Sequence, residues 1–174
     1  DSPGVRLLRL GLEGTDQRVR DDKPVTPTFL FAVLLWPAIL RAAGAPDGPL
    51  PADPQLLLTA TDEVLGRQLR RITIPKRFGL PMRDLVMLQP RFERRSGRRA
   101  LRLLEHPKFR AAYDLLLLRA ASGEIDPEIA EWWTRLQDLP EAERVAEVEG
   151  RPAEAADSPR RRSRRRRRGR PAAD

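Results

Sequence analysis

The stretch from residue 103 to 120 constrains the fold more tightly than any other part of the chain. Pro107 lacks a backbone N–H and fixes its own φ. It therefore closes whatever precedes His106 and suits the first turn of a new helix. Phe109, Ala112, Tyr113, Leu116 and Ala120 then recur at helical spacing and define one buried face. Lys108, Arg110 and Arg119 fall mostly off that face, which leaves them free to meet an anion. The same punctuation recurs along the chain, which holds 17 prolines in 174 residues, and strand-like alternation is nearly absent. The expected fold is all-α, an irregular domain of about six or seven helices.

Ser2 suits a helix cap with Pro3 in the first turn, and Gly14 is expected to help end that helix. Opening on a helix without an initiator Met points to a fragment or a processed chain. A second helix is predicted from Thr26-Pro27 through Phe29, Leu30, Val33, Leu34, Ile39 and Leu40, bent or broken at Trp36-Pro37 and stopped at Gly44. Residues 45–54 read as a proline-rich loop. Asp53-Pro54 restarts a helix through Leu56, Leu57, Ala60, Val64, Leu65 and Leu69. Ile72-Thr73-Ile74-Pro75 reads as an extended link. The next helix is predicted to start near Leu80-Pro81 and to be interrupted at Pro90. Short helices follow over Arg98–Leu104, 107–121 and 127–139. Residues 1–140 form the expected body. Residues 141–158 form an acidic linker, in which 141–149 make a marginal exposed helix. Disorder is expected from Gly150 onward, with 159–174 as an arginine-rich tail.

Charge is strongly patterned. Residues 1–66 carry a net −3, 67–119 a net +11, 120–158 a net −8 and 159–174 a net +8. Two basic blocks flanking an acidic spacer suit an anionic polymer. Within the first block, Arg91, Arg94 or Arg95, Arg98 and Arg102 are spaced three and four apart. On a continuous helix they would form a basic ridge, with Arg99 beside them, Lys76 and Arg77 extending it, and Phe92, Ala100, Leu101, Leu103 and Leu104 packing inward. Ser96-Gly97 is a weak point in that helix, and a kinked helix pair would still present the ridge. Guanidinium forks match phosphate oxygens. In the second block, Arg160, Arg161, Arg162, Arg164, Arg165, Arg166, Arg167, Arg168 and Arg170 form a polycation that binds phosphates with little sequence preference.

Other candidates are weaker. His106 is the sole histidine and the chain has no cysteine, so helix initiation or hydrogen bonding outweighs metal binding or catalysis. Of the adjacent Trp132 and Trp133, one is expected to pack inward and the other to cap the surface. Acidic pairs such as Glu124/Asp126, Glu141/Glu143 and Glu147/Glu149 read as solvated charge. No catalytic and no metal-binding residue is assigned. Residues 29–40 are too short a run to span a bilayer, and no transmembrane segment is expected.

Several blocks in order resemble the C-terminal region of the bacterial poly(A) polymerase family, which is related to the tRNA CCA-adding enzymes. They are Gly14-Thr15-Asp16-Gln17-Arg18-Val19, Pro27-Thr28-Phe29-Leu30-Phe31-Ala32, Ile74-Pro75-Lys76-Arg77, and Gly97-Arg98-Arg99-Ala100 leading into residues 103–120. Trp132-Trp133 and the arginine-rich end agree in position. The resemblance implies a cytoplasmic nucleotidyltransferase that adds AMP from ATP to RNA 3′ ends, using magnesium ions held by carboxylates in a catalytic head. The family's Gly-rich turn and Asp-x-Asp strand are not in this sequence. ATP and Mg thus belong to a part this chain lacks, and 1–174 alone is expected to be inactive. The implied partners are RNA, with Lys108 and Arg110 among its contacts, and RNA-decay proteins, with no DNA specificity.

A stand-alone RNA-binding adaptor, a CCA-adding relative and a membrane-surface protein are the alternatives. Deleting 159–174 should lower RNA affinity and flatten its salt dependence. If all nine tail arginines engage a single strand, they contribute a slope of roughly −6 in log K against log salt. An unchanged slope would show that the tail makes no phosphate contacts.

Overall fold

In the computed structural model, residues 2–69 and 76–150 are described. They form eight helices and no strand, which bears out the all-α expectation. The helices are α1 (Pro3–Arg20), α2 (Pro27–Ala42), α3 (Pro54–Leu69), α4 (Lys76–Phe92), α5 (Arg98–Leu104), α6 (Phe109–Ala121), α7 (Pro127–Asp138) and α8 (Glu141–Glu149). The expected link at 72–75, the disorder beyond Gly150 and the arginine tail lie outside the described residues.

Helix α2 lies at the centre, packed against α1, α3, α4 and α6, while α4 also meets α3, α5 and α6. Its apolar sequence explains the position, since Ala32, Val33, Trp36, Ile39 and Leu40 are all buried. Helix α1 approaches closely because Gly11 faces Val33. A Cβ built on Gly11 would stand 2.4 Å from Val33 Cγ1. Gly14 does not end α1, which runs on to Arg20. A single exposed glycine weakens a helix by only about 1 kcal/mol, and burial of Leu7 holds this one in place.

Prolines interrupt less than their sequence positions suggest. Pro37 lies within α2, and both Pro81 and Pro90 lie within α4, which starts at Lys76 rather than near Leu80. Each proline removes one backbone hydrogen bond. The apolar side chains around them offset that loss, for Met82, Leu85, Val86, Leu88 and Phe92 are all buried.

Trp132 and Trp133 both pack inward, contrary to the expectation that one would cap the surface. Trp133 stands edge-on to Phe92 with ring centroids 5.2 Å apart, and its indole N–H donates to the Phe92 carbonyl at 2.9 Å. Trp132 donates to Glu147 at 2.8 Å. Glu147 lies on α8, which is anchored rather than free. Val148 is fully buried, and its carbonyl accepts from the Gly97 N–H at 2.9 Å.

Two further charges occupy unexpected places. Arg119 and Glu124 have fully buried side chains, paired at 2.8 Å. Arg119 is thus not free to meet an anion, and Glu124 is not solvated. The second Glu124 oxygen accepts from the Trp36 indole at 2.7 Å, and Arg119 donates to Gln89 at 3.2 Å. Gln89 in turn donates to the Ala112 carbonyl at 3.0 Å. One buried network therefore ties α2, α4, α6 and the turn after α6.

Removing one partner of a buried ion pair leaves an uncompensated charge. Glu124→Leu should therefore lower stability by about 3–5 kcal/mol in urea unfolding. The double variant Arg119→Met/Glu124→Leu should recover at least about 2 kcal/mol of that loss. A double variant no more stable than the single one would show that charge compensation is not what holds this junction.

Candidate nucleic-acid interface

Of the two forms expected for the basic ridge, a continuous helix from Arg91 to Arg102 and a pair broken near Gly97, the structure has the second. Helix α4 ends at Phe92, and α5 begins at Arg98 after a turn. Gly97 adopts φ 66°, in a region that side-chain-bearing residues rarely occupy. This reversal carries Ala100 and Leu103 into the core, so α5 turns its arginines outward. Arg98, Arg99 and Arg102 lie within about 100° of its circumference and are exposed, as is Arg94 in the turn. None of the four has an ion-pair partner among the described residues. The ridge is therefore a compact corner on a bent backbone rather than a line along one helix.

The remaining cations separate by environment. Arg91 and Arg95 are half-buried. Arg95 pairs with Glu128 at 3.4 Å. Arg77 is exposed and lies over the Phe78 ring, 4.8 Å from its centroid. It sits at the opposite end of α4 from Phe92, about 22 Å away at 1.5 Å per residue, so it does not extend the corner. The Lys76 side chain and the arginines of the tail lie outside the described residues.

Lys108 and Arg110 form a second group at the start of α6. Lys108 is held by Asp84 of α4, and Arg110 by Asp114 at 3.2 Å. Arg110 also lies over Tyr113, 5.9 Å from the ring centroid. His106 performs the helix-starting role expected of it. Its Nδ1 accepts from the Lys108 N–H at 3.1 Å, and its carbonyl accepts from the Phe109 N–H at 2.8 Å.

Asp114 and Arg18 are the residues that sequence reasoning missed. Both line a cleft of about 820 Å³ between α1, the start of α2, α4 and α6. Burial raises the Asp114 carboxyl above its ordinary pKa, although Arg110 and Arg18 act in the opposite direction. Gly11 lets α1 lie close to Val33 and Gly14 leaves open space beside it, but no local pattern in the sequence marks the cleft.

Residues 52–168 match the family described as polymerase A arginine-rich C-terminus. Poly(A) polymerase I of Escherichia coli O157:H7 is 42% identical over 142 residues, covering 79% of this chain and 30% of the relative. Poly(A) polymerase I of Salmonella typhimurium LT2 is 40% identical over 176 residues, covering 98% and 36%. The Haemophilus influenzae counterpart is 35% identical over 144 residues, covering 79% and 31%. The chain spans about a third of the length of these relatives.

Proposed function

Because this chain belongs to the poly(A) polymerase family, in its arginine-rich C-terminal region, we propose that it holds RNA for a polymerase that adds AMP from ATP to RNA 3′ ends. The observation that carries this reading is the α4–α5 corner. Four exposed guanidinium groups fall within nine residues and have no carboxylate partner among the described residues. Guanidiniums pair bidentately with phosphate oxygens, and phosphate contacts fix a strand in place without reading its sequence.

ATP, magnesium and the catalytic carboxylates belong, in this proposal, to the part of the relatives that the chain does not match. Among the described residues no group of three or more His, Asp or Glu side chains is placed to hold a metal ion. A cytoplasmic setting and association with RNA-decay proteins belong to the same proposal. Among the described residues no helix is long and apolar enough to cross a membrane. A stand-alone adaptor is the weaker reading, since the likeness to a poly(A) polymerase runs along 98% of the chain.

Replacing Arg94, Arg98, Arg99 and Arg102 with alanine should weaken single-stranded RNA binding and reduce the salt slope by about 3, without changing the helical circular dichroism. Arg95 is left out of this set because Glu128 already holds it. Unchanged affinity and slope would reduce the corner to a solvated surface. Residues 1–174 alone should incorporate no labelled AMP onto an RNA primer, and incorporation would contradict the placement of the chemistry elsewhere.

A further inference from the structure

The cleft beside α6 has a composition that the α4–α5 corner lacks. Leu10, Val25, Phe29, Leu85 and Leu118 line the cleft together with three cations, Arg18, Lys108 and Arg110. Arg18 donates to the Pro24 carbonyl at 3.0 Å and Lys108 is paired with Asp84. Asp114 is half-buried within the cleft and gives one carboxylate oxygen to Arg110. The other makes no hydrogen bond among the described residues. Gly14 keeps one wall open, since a Cβ there would meet nothing within 4 Å. At about 820 Å³ the cleft is within the size range of small-molecule sites.

These features describe a ligand with a flat apolar body, an anionic end and a hydrogen-bond donor. Three cations against two carboxylates, Asp84 and Asp114, suit a phosphate, apolar side chains suit a ring, and an ionised carboxylate accepts but cannot donate. In single-stranded RNA, bases splay outward, stack on side chains and expose their pairing edges. Adenine and cytosine present an exocyclic amino donor, whereas uracil presents a carbonyl acceptor at the corresponding position. We propose that the cleft takes one nucleotide of the bound strand, base inward, and that Asp114 selects bases carrying an exocyclic amino group. This rests on the reading that the chain binds RNA.

The test compares twenty-nucleotide oligocytidylate with oligouridylate on the full chain by fluorescence anisotropy. The two polymers carry the same backbone charge, so contacts made by the arginine corner and the tail cancel in the ratio of affinities. Oligocytidylate should bind at least about tenfold tighter, as expected for one hydrogen bond to a charged acceptor. Asp114→Leu should bring the ratio to about one. It also releases Arg110 and so raises affinity for both polymers, which leaves the ratio as the informative quantity. Gly14→Trp should likewise abolish the preference by filling the cleft without altering charge. Its thermal melt should be no lower than that of the parent, because the new Cβ enters open space and a helical glycine is removed. Binding of both polymers with no preference, or a preference untouched by both variants, would overturn the cleft proposal alone. Failure to bind either polymer would overturn the RNA reading and this inference with it.

Discussion

The arrangement of this domain depends on one buried ion pair, Arg119 with Glu124. Bringing two charges out of water is unfavourable unless geometry and hydrogen bonds compensate. Here Glu124 accepts from both Arg119 and Trp36, and Arg119 donates to Gln89 while lying 5.1 Å from the Trp36 ring centroid. The partners come from α2, α4, α6 and the turn after it, so satisfying the pair fixes the relative positions of all four. The turn is held from outside as well. Arg6 of α1 donates to the Ser122 carbonyl at 2.7 Å, and Gly48 lies against Glu124 closely enough that a Cβ would stand 2.9 Å from its carbonyl oxygen.

That frame explains why some cations are available to a ligand and others are not. The acidic segment after residue 120 reads in the sequence as a spacer between two basic blocks. In the fold four of its carboxylates are engaged with the body. Glu124 neutralises Arg119, Asp126 caps α7 through the Glu128 N–H, Glu128 meets Arg95, and Glu147 takes the Trp132 indole. The arginines of α5 remain outside this set because Gly97 turns the chain and Ala100 and Leu103 fill the inner side of the short helix. An accessible positive corner on a rigid scaffold, rather than net charge alone, gives a phosphate backbone a fixed place to sit.

Helix identity was legible because apolar spacing and N-terminal prolines are local signals. Thr26-Pro27, Asp53-Pro54 and Asp126-Pro127 each mark a helix start found in the fold. Internal prolines and Gly14 misled for a physical reason: a missing hydrogen bond is a local loss, whereas the burial that compensates it is tertiary. The burial of Arg119 was illegible because its partner is five residues away across a turn and its environment is supplied by Trp36 and Gln89. The weak point at Gly97 was legible, but not the size of the turn there, which separates Arg91 from the arginines of α5 that share its helical spacing on paper. The cleft was invisible in the sequence, since Arg18 and Asp114 come to line one cavity only where α1 packs on α6.

The central claim is that the arginine corner, not dispersed basic charge, seats the strand. The most direct measurement is to titrate single-stranded RNA into the isotopically labelled chain and follow backbone and arginine side-chain NMR signals. The account predicts the largest shifts at residues 94–102, with the α7–α8 surface around Glu131 and Glu143 unmoved. Shifts spread evenly over all exposed cations, or confined elsewhere with 94–102 unmoved, would contradict it.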